Sequence, residues 1–112
     1  MLIKLPQIIA AFVQAKNDHD SDAVIVCFAS NAVVLDEGQE IRGTTDIKKW
    51  IDTTSEKYQD TLEATDLVEQ GKEIVLTAQV SGNFEGSPVS LDFHFTITND
   101  KITRLSIQFT GE

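Results

Sequence analysis

The chain has a single cysteine, two prolines, one tryptophan and one tyrosine, and its 9 basic residues are outnumbered by 18 acidic ones. Each shortage excludes something. One thiol, Cys27, can form neither an intramolecular disulfide nor a multi-cysteine zinc site, and its place in an apolar run fits a buried, inert side chain. A formal charge of −9 makes the average surface repel phosphate backbones and anionic lipid, so neither nucleic acid nor membrane is an expected partner. No segment approaches the roughly 18 to 20 apolar residues that a spanning helix needs. The stretch Met1 to Phe12 lacks the long uninterrupted apolar core of a signal peptide and reads as an amphipathic helix, which favours a cytoplasmic location. There is no Ser-His-Asp order, no Gly-rich phosphate loop and no cysteine pair, so covalent acyl transfer, nucleotide binding and zinc chemistry find no support.

What remains is a chain of 112 residues with 41% apolar content, the size of one domain built on one core, spanning 1–112. Leu5, Ile8, Ile9, Phe12, Val13 and Lys16 recur at helical spacing, with Pro6 suited to a first turn and Asn17 to an ending. Asp20 or Ser21 can cap a short buried helix over Ala23 to Ala29, although Val24-Ile25-Val26 is β-branched and would pass for a strand on propensity alone. Asn31 to Asp36 reads as a strand, Glu37-Gly38-Gln39 as a turn, and Glu40 to Arg42 as a short extended piece. Thr44 and Thr45 can cap a third helix whose Ile47, Trp50, Ile51 and Thr54 share a face.

The second half changes period. Leu62 to Glu69, Glu73 to Ser81, Val89 to Thr98 and Lys101 to Phe109 read as four successive antiparallel strands, separated by polar or glycine-containing links. In the third, Val89, Leu91, Phe93, Phe95 and Ile97 alternate with Ser90, Asp92, His94, Thr96 and Thr98, and Thr103, Leu105, Ile107 and Phe109 set the inner face of the last. Helices early and a strand meander late predict an α+β fold, with the helices packed on the apolar face of a curled sheet.

Asn17-x-x-Asp20, Phe28-Ala-x-x-Ala32, Asp36, Arg42-Gly43, Ile47-x-x-Trp50 and Asp100-Lys-Ile-Thr-Arg-Leu105, taken in this order, resemble the SnoaL-like branch of the nuclear transport factor 2-like superfamily over essentially the whole chain. The resemblance implies a cone-shaped, mostly antiparallel curled sheet wrapped around N-terminal helices, in a cystatin-like arrangement. It also implies a pocket between sheet and helices and homodimers formed through the sheet. The superfamily includes isomerases, polyketide cyclases and dehydratases as well as binding or assembly domains without catalysis. Within it, ketosteroid isomerase is similar in the register of Phe28, Ala29, Ala32 and Asp36, which implies that Asp36 takes the position of a general base. The resemblance implies that the positions matching that enzyme's two oxyanion donors hold Phe12 and, if Phe95 and Ile97 set the register of the third long strand, Phe93, neither of which can donate a hydrogen bond. Losing one such donor costs about 2.7 to 4 kcal/mol of barrier. A strand bulge near Pro88 would turn Asp92 or His94 inward.

The expected site is thus Asp36 as the acid/base residue, with Phe12, Phe28, Val34, Trp50, Tyr58, Phe93 and Phe95 lining an apolar pocket for a small hydrophobic molecule, and with no cofactor or metal. The competing reading of Asp36 is a solvated turn aspartate ahead of Glu37-Gly38. Burial beside Val34, Phe12 and Trp50 is what would make such a carboxylate useful near neutrality. Asp18-x-Asp20-x-Asp22 beside His19 mimics the start of a calcium loop, but the glycine and closing glutamate of that motif are missing, so helix capping is expected. His94 is expected on the outer sheet face, in a dimer contact. Arg42 can pair with Asp36 or Glu40, and Gln79, Asn83 and Gln108 are polar candidates for orienting a ligand.

Overall fold

The computed structural model describes residues 4–36 and 38–111. Among the described residues there are three helices, α1 (Gln7–Asn17), α2 (Ser21–Val26) and α3 (Thr44–Tyr58), and six strands, β1 (Phe28–Asp36), β2 (Gln39–Arg42), β3 (Thr61–Gln70), β4 (Glu73–Ser81), β5 (Val89–Thr98) and β6 (Lys101–Phe109). The strands form one sheet in the order β2-β1-β6-β5-β4-β3. All pairings are antiparallel except β1 with β6, which is parallel. The four-strand meander expected over the second half is present, and the two N-terminal strands extend it at the β6 edge. The expected turn at Glu37-Gly38-Gln39 falls partly on Glu37, and the N-terminal stretch partly on 1–3, which lie outside the described residues.

The core lies between the three helices and one sheet face. Ile9, Phe12 and Ala15 of α1, Val24 of α2, and Ile47 and Ile51 of α3 are buried, and they meet Leu76, Ala78, Phe93, Phe95, Ile102 and Leu105 of the strands. Phe12 stands edge-on to both Phe28 (6.1 Å) and Phe95 (5.2 Å), the geometry that aromatic quadrupoles favour.

Three local expectations need correction. The second helix ends at Val26 and Phe28 already opens β1, three residues before the expected strand start. Asp20 does cap α2, accepting from the Ala23 amide at 3.1 Å. The Cys27 carbonyl, however, accepts from the Ile102 amide at 2.8 Å, which recruits the chain into the sheet at once. Helix α3 begins at Thr44 with Gly43 as its cap residue at φ 83°, a backbone state that glycine adopts without penalty, and no side chain caps it. In β6 a register shift opposite Thr96 and Ile97 breaks strict alternation, so Ile102 rather than Thr103 joins Leu105 in the core. Thr103 instead donates to the Thr96 carbonyl at 3.2 Å. Phe109 keeps the face of Leu105 and Ile107, as expected, and lies at the open end of the sheet, 54% exposed and lining a cavity there.

The end of α1 is tied to the sheet edge by one amide. Asn17 Nδ2 donates to the Leu62 carbonyl at 3.0 Å, and its Oδ1 accepts from the Leu62 amide at 2.7 Å. Because β3 is an edge strand, Leu62 has a backbone side that no strand pairs, and the Asn17 side chain bonds it as a neighbouring strand would. This contact sets the last turn of α1, with Lys16, against the start of β3.

Candidate functional site

Between the helices and the open end of the sheet is a cavity of about 850 Å³. Strand β1 carries Asp36 to its rim, α3 contributes Trp50, Thr53, Thr54 and Tyr58, α1 contributes Phe12 and Lys16, and the strands contribute Leu62, Val80, Leu91 and Phe93. Asp36 lies at the end of β1 because Val34, two residues earlier, is fully buried and pairs with Leu105 of β6. The carboxylate is half-buried. Trp50, one turn after Ile47 on α3, donates its indole N–H to Asp36 Oδ2 at 3.2 Å. That bond orients the carboxylate and satisfies an indole that is itself half-buried.

Of the site candidates singled out from the sequence, Asp36, Phe12, Trp50, Tyr58, Phe93 and Gln108 border this cavity, and Gln79 and Asn83 do not. Nor do Phe28, Val34 and Phe95. They pack into the core with 5% or less of their surface exposed, because the Phe12 ring lies against Phe28 and Phe95 and closes that side. Tyr58 stands edge-on to Phe84 at 5.8 Å, with both rings at the cavity wall.

Asp92 and His94 stay on the outer face. The pairing of β5 with β4 runs without interruption from Val89 to Thr96, so no bulge reverses its facing. Asp92 Oδ1 accepts from Thr77 at 2.8 Å and Thr110 at 3.0 Å, and His94 Nδ1 lies 3.3 Å from Glu73. Arg42 bonds Glu40 at 2.7 Å on the surface. His19 Nε2 lies 2.8 Å from the Asp60 carbonyl oxygen, and no group of metal-ligating side chains occurs among the described residues. Cys27 is buried, and desolvation pushes its thiol pKa up, only partly offset by the Lys101 ammonium. Among the described residues no helix is long and apolar enough to cross a membrane.

Reasoning from the sequence missed Lys16 and Asp60 as site residues. Lys16 has a side chain only 6% exposed, with Nζ 3.7 Å from Asp60 Oδ2 and 5.8 Å from the centre of the Trp50 ring. Its signal was available, since it is the one charged member of the apolar helical series that runs from Leu5. Asp60 carried no such signal, because its burial follows from the left-handed Gln59 that ends α3 and turns the chain into β3.

The chain matches the model of the SnoaL-like domain over residues 9–105. Among solved structures it is similar to a candidate polyketide cyclase from Sinorhizobium meliloti, at 36% identity and a TM-score of 0.90, covering 93% of this chain and 95% of that one. It is also similar to a protein of ketosteroid isomerase-like fold from Catenulispora acidiphila solved in complex with trimethylamine, at 19% identity and a TM-score of 0.85, over 96% and 88% of the two chains. A candidate polyketide cyclase from Pseudomonas putida aligns at 17% identity and a TM-score of 0.80, over 94% and 90%. No curated protein matches the chain. At these identities the latter two structures speak to fold alone.

Proposed function

This chain belongs to the SnoaL-like domain family, and from that premise we propose that it binds a small hydrophobic molecule in the cavity beside Asp36 and moves a proton on it, as a cofactor-free isomerase, cyclase or dehydratase would. The observation that carries the reading is the Trp50–Asp36 hydrogen bond at the cavity wall. It holds a carboxylate in a fixed orientation where a ligand can reach it, which is the first requirement of a general base. The cavity's 850 Å³ falls within the range of small-molecule sites, roughly 300 to 1,000 Å³. The similarity to the Sinorhizobium protein described as a candidate polyketide cyclase is consistent with chemistry next to a carbonyl.

The test is exchange of carbon-bound hydrogen. Apolar ketones incubated with the protein in D2O should lose the NMR signal of protons next to the carbonyl, and Asp36→Asn should slow that loss by on the order of 10² to 10⁴. Full exchange by the Asp36→Asn chain would sink the assignment.

A second reading, a non-catalytic ligand-binding or dimeric assembly module, is favoured by Phe12 and Phe93 at the two donor positions. In that reading the outer sheet face, with its Thr77–Asp92–Thr110–Ser90 hydrogen-bond chain, is the homodimer surface. Light scattering that finds only monomer at tens of micromolar would refute the dimer.

A further inference from the structure

Lys16 sits on the apolar face of α1 one turn beyond Phe12, and its ammonium approaches the same indole that donates to Asp36. A buried ammonium is costly unless other groups compensate it. Asp60 does so across 3.7 Å, longer than the 2.7 to 2.9 Å of a charge-assisted hydrogen bond, so the pair holds the ammonium electrostatically without using its N–H donors. No hydrogen bond leaves Lys16 Nζ among the described residues, and Asp60 Oδ1 is buried without a hydrogen-bond partner there. Both residues line the cavity.

We propose that the Lys16 ammonium is the counter-charge for an oxygen anion formed on the ligand, so that the substrate class is an apolar carbonyl compound whose oxygen becomes negative as Asp36 takes a proton from the adjacent carbon. This rests on the acid/base reading above. The step balances within the site. The C–H bond breaks, its proton goes to the Asp36 carboxylate, its electron pair forms the new C=C bond, and the carbonyl π pair moves to oxygen. In a ligand with a C=C bond next to the acidic carbon, the oxygen pair then re-forms C=O, the enolate C=C pair moves into conjugation with it, and the far carbon of the old C=C takes the proton back from Asp36, which completes an isomerisation with no outside reactant. Charge selects a ligand that carries its own proton over one that arrives as an anion. The cavity wall carries three carboxylates, Asp36, Asp60 and Glu85, and two ammonium groups, Lys16 and Lys57, and transfer leaves that balance unchanged because the enolate oxygen replaces Asp36 as a negative charge. Lys16 thereby fills the role that Phe12 and Phe93 cannot.

The Asp36→Asn chain reproduces the charge state after transfer and keeps an acceptor for Trp50. Its binding of 2-naphthoate and of the neutral isostere 2-naphthamide is measured by calorimetry, with the lone indole N–H signal of Trp50 as the site reporter. Naphthoate should bind Asp36→Asn at least about tenfold tighter than Asp36→Asn/Lys16→Met, with naphthamide equal in both. Lys16→Gln, which leaves an amide donor for Asp60, replaces Lys16→Met if that chain does not fold. Naphthamide bound, with naphthoate affinity unchanged by loss of Lys16, overturns the counter-charge and leaves the cavity reading standing. Binding of neither probe to either chain overturns both.

Discussion

Replacing Asn17 by alanine tests the claim that one side chain closes the edge of β3 and positions the floor of the cavity. Asn17 exchanges two hydrogen bonds with the Leu62 backbone, at 3.0 and 2.7 Å, in a partly buried setting. A typical internal hydrogen bond contributes about 0.5 to 1.5 kcal/mol, and a buried backbone group left without its partner costs about 1 to 3 kcal/mol. Water reaching this edge would recover part of that cost, so Asn17→Ala should destabilise the fold by about 2 to 3 kcal/mol. With an unfolding entropy of about 2.1 cal/mol/K per residue, that lowers Tm by roughly 10 °C, and the urea midpoint falls with m unchanged. Asn17→Asp is the discriminating control. It keeps an acceptor for the Leu62 amide but sets a carboxylate oxygen against the Leu62 carbonyl, so it should be no better than alanine. An Asn17→Ala chain within 0.5 kcal/mol of the parent, by urea unfolding, would refute the account of how α1 is fixed to the sheet.

Three further outcomes follow from packing and burial. A Cβ on Gly82 would come within 2.7 Å of the Tyr58 carbonyl, which also accepts from the Asn83 amide at 2.7 Å, so Gly82→Ala should cost about 1 to 3 kcal/mol and shift the Tyr58 ring signals at the cavity wall. Phe95→Ala empties a fully buried site and should cost about 3 to 5 kcal/mol in denaturant unfolding, whereas Val68→Ala, at a position 42% exposed on the edge strand, should stay within about 0.5 kcal/mol. Because burial raises the Cys27 thiol pKa, a thiol reagent should label it only as the chain unfolds. The stability linked to that group is present below the unfolded thiol's pKa and lost as pH rises through the folded value, so above the ordinary thiol range the parent should lose stability with pH faster than Cys27→Ala. Parallel pH slopes for the two chains would contradict this.

The legible parts were those whose signal is local. Period-two alternation in Val89 to Thr98 is written into adjacent residues, and the apolar stripe of α1 needs only its own heptad of sequence. The order of elements and the spacing around Phe28, Asp36 and Trp50 carried the family, which residues 9–105 match. Asp36 could be named as the acid/base candidate because that register positions it at a strand end. What it bonds to could not be derived from periodicity, since Trp50 lies 14 residues away on another element.

The rest depended on contacts distant in sequence. Strand propensity cannot reveal that β1 runs parallel to β6, because that pairing is decided by how the meander returns across the core. The bulge that brings in Ile102 in place of Thr103 reflects the fit of β6 between two neighbours, a property no single strand has. Phe28, Val34 and Phe95 share the apolar character of the cavity wall but are buried in the core, Phe28 and Phe95 behind the Phe12 ring. The sequence by itself determined the fold class, the helix faces and the position of one carboxylate, because these follow from spacing along the chain. Only the tertiary structure decided that Lys16 is buried beside Asp60 and Trp50, because burying a charge depends on partners brought together from separate elements.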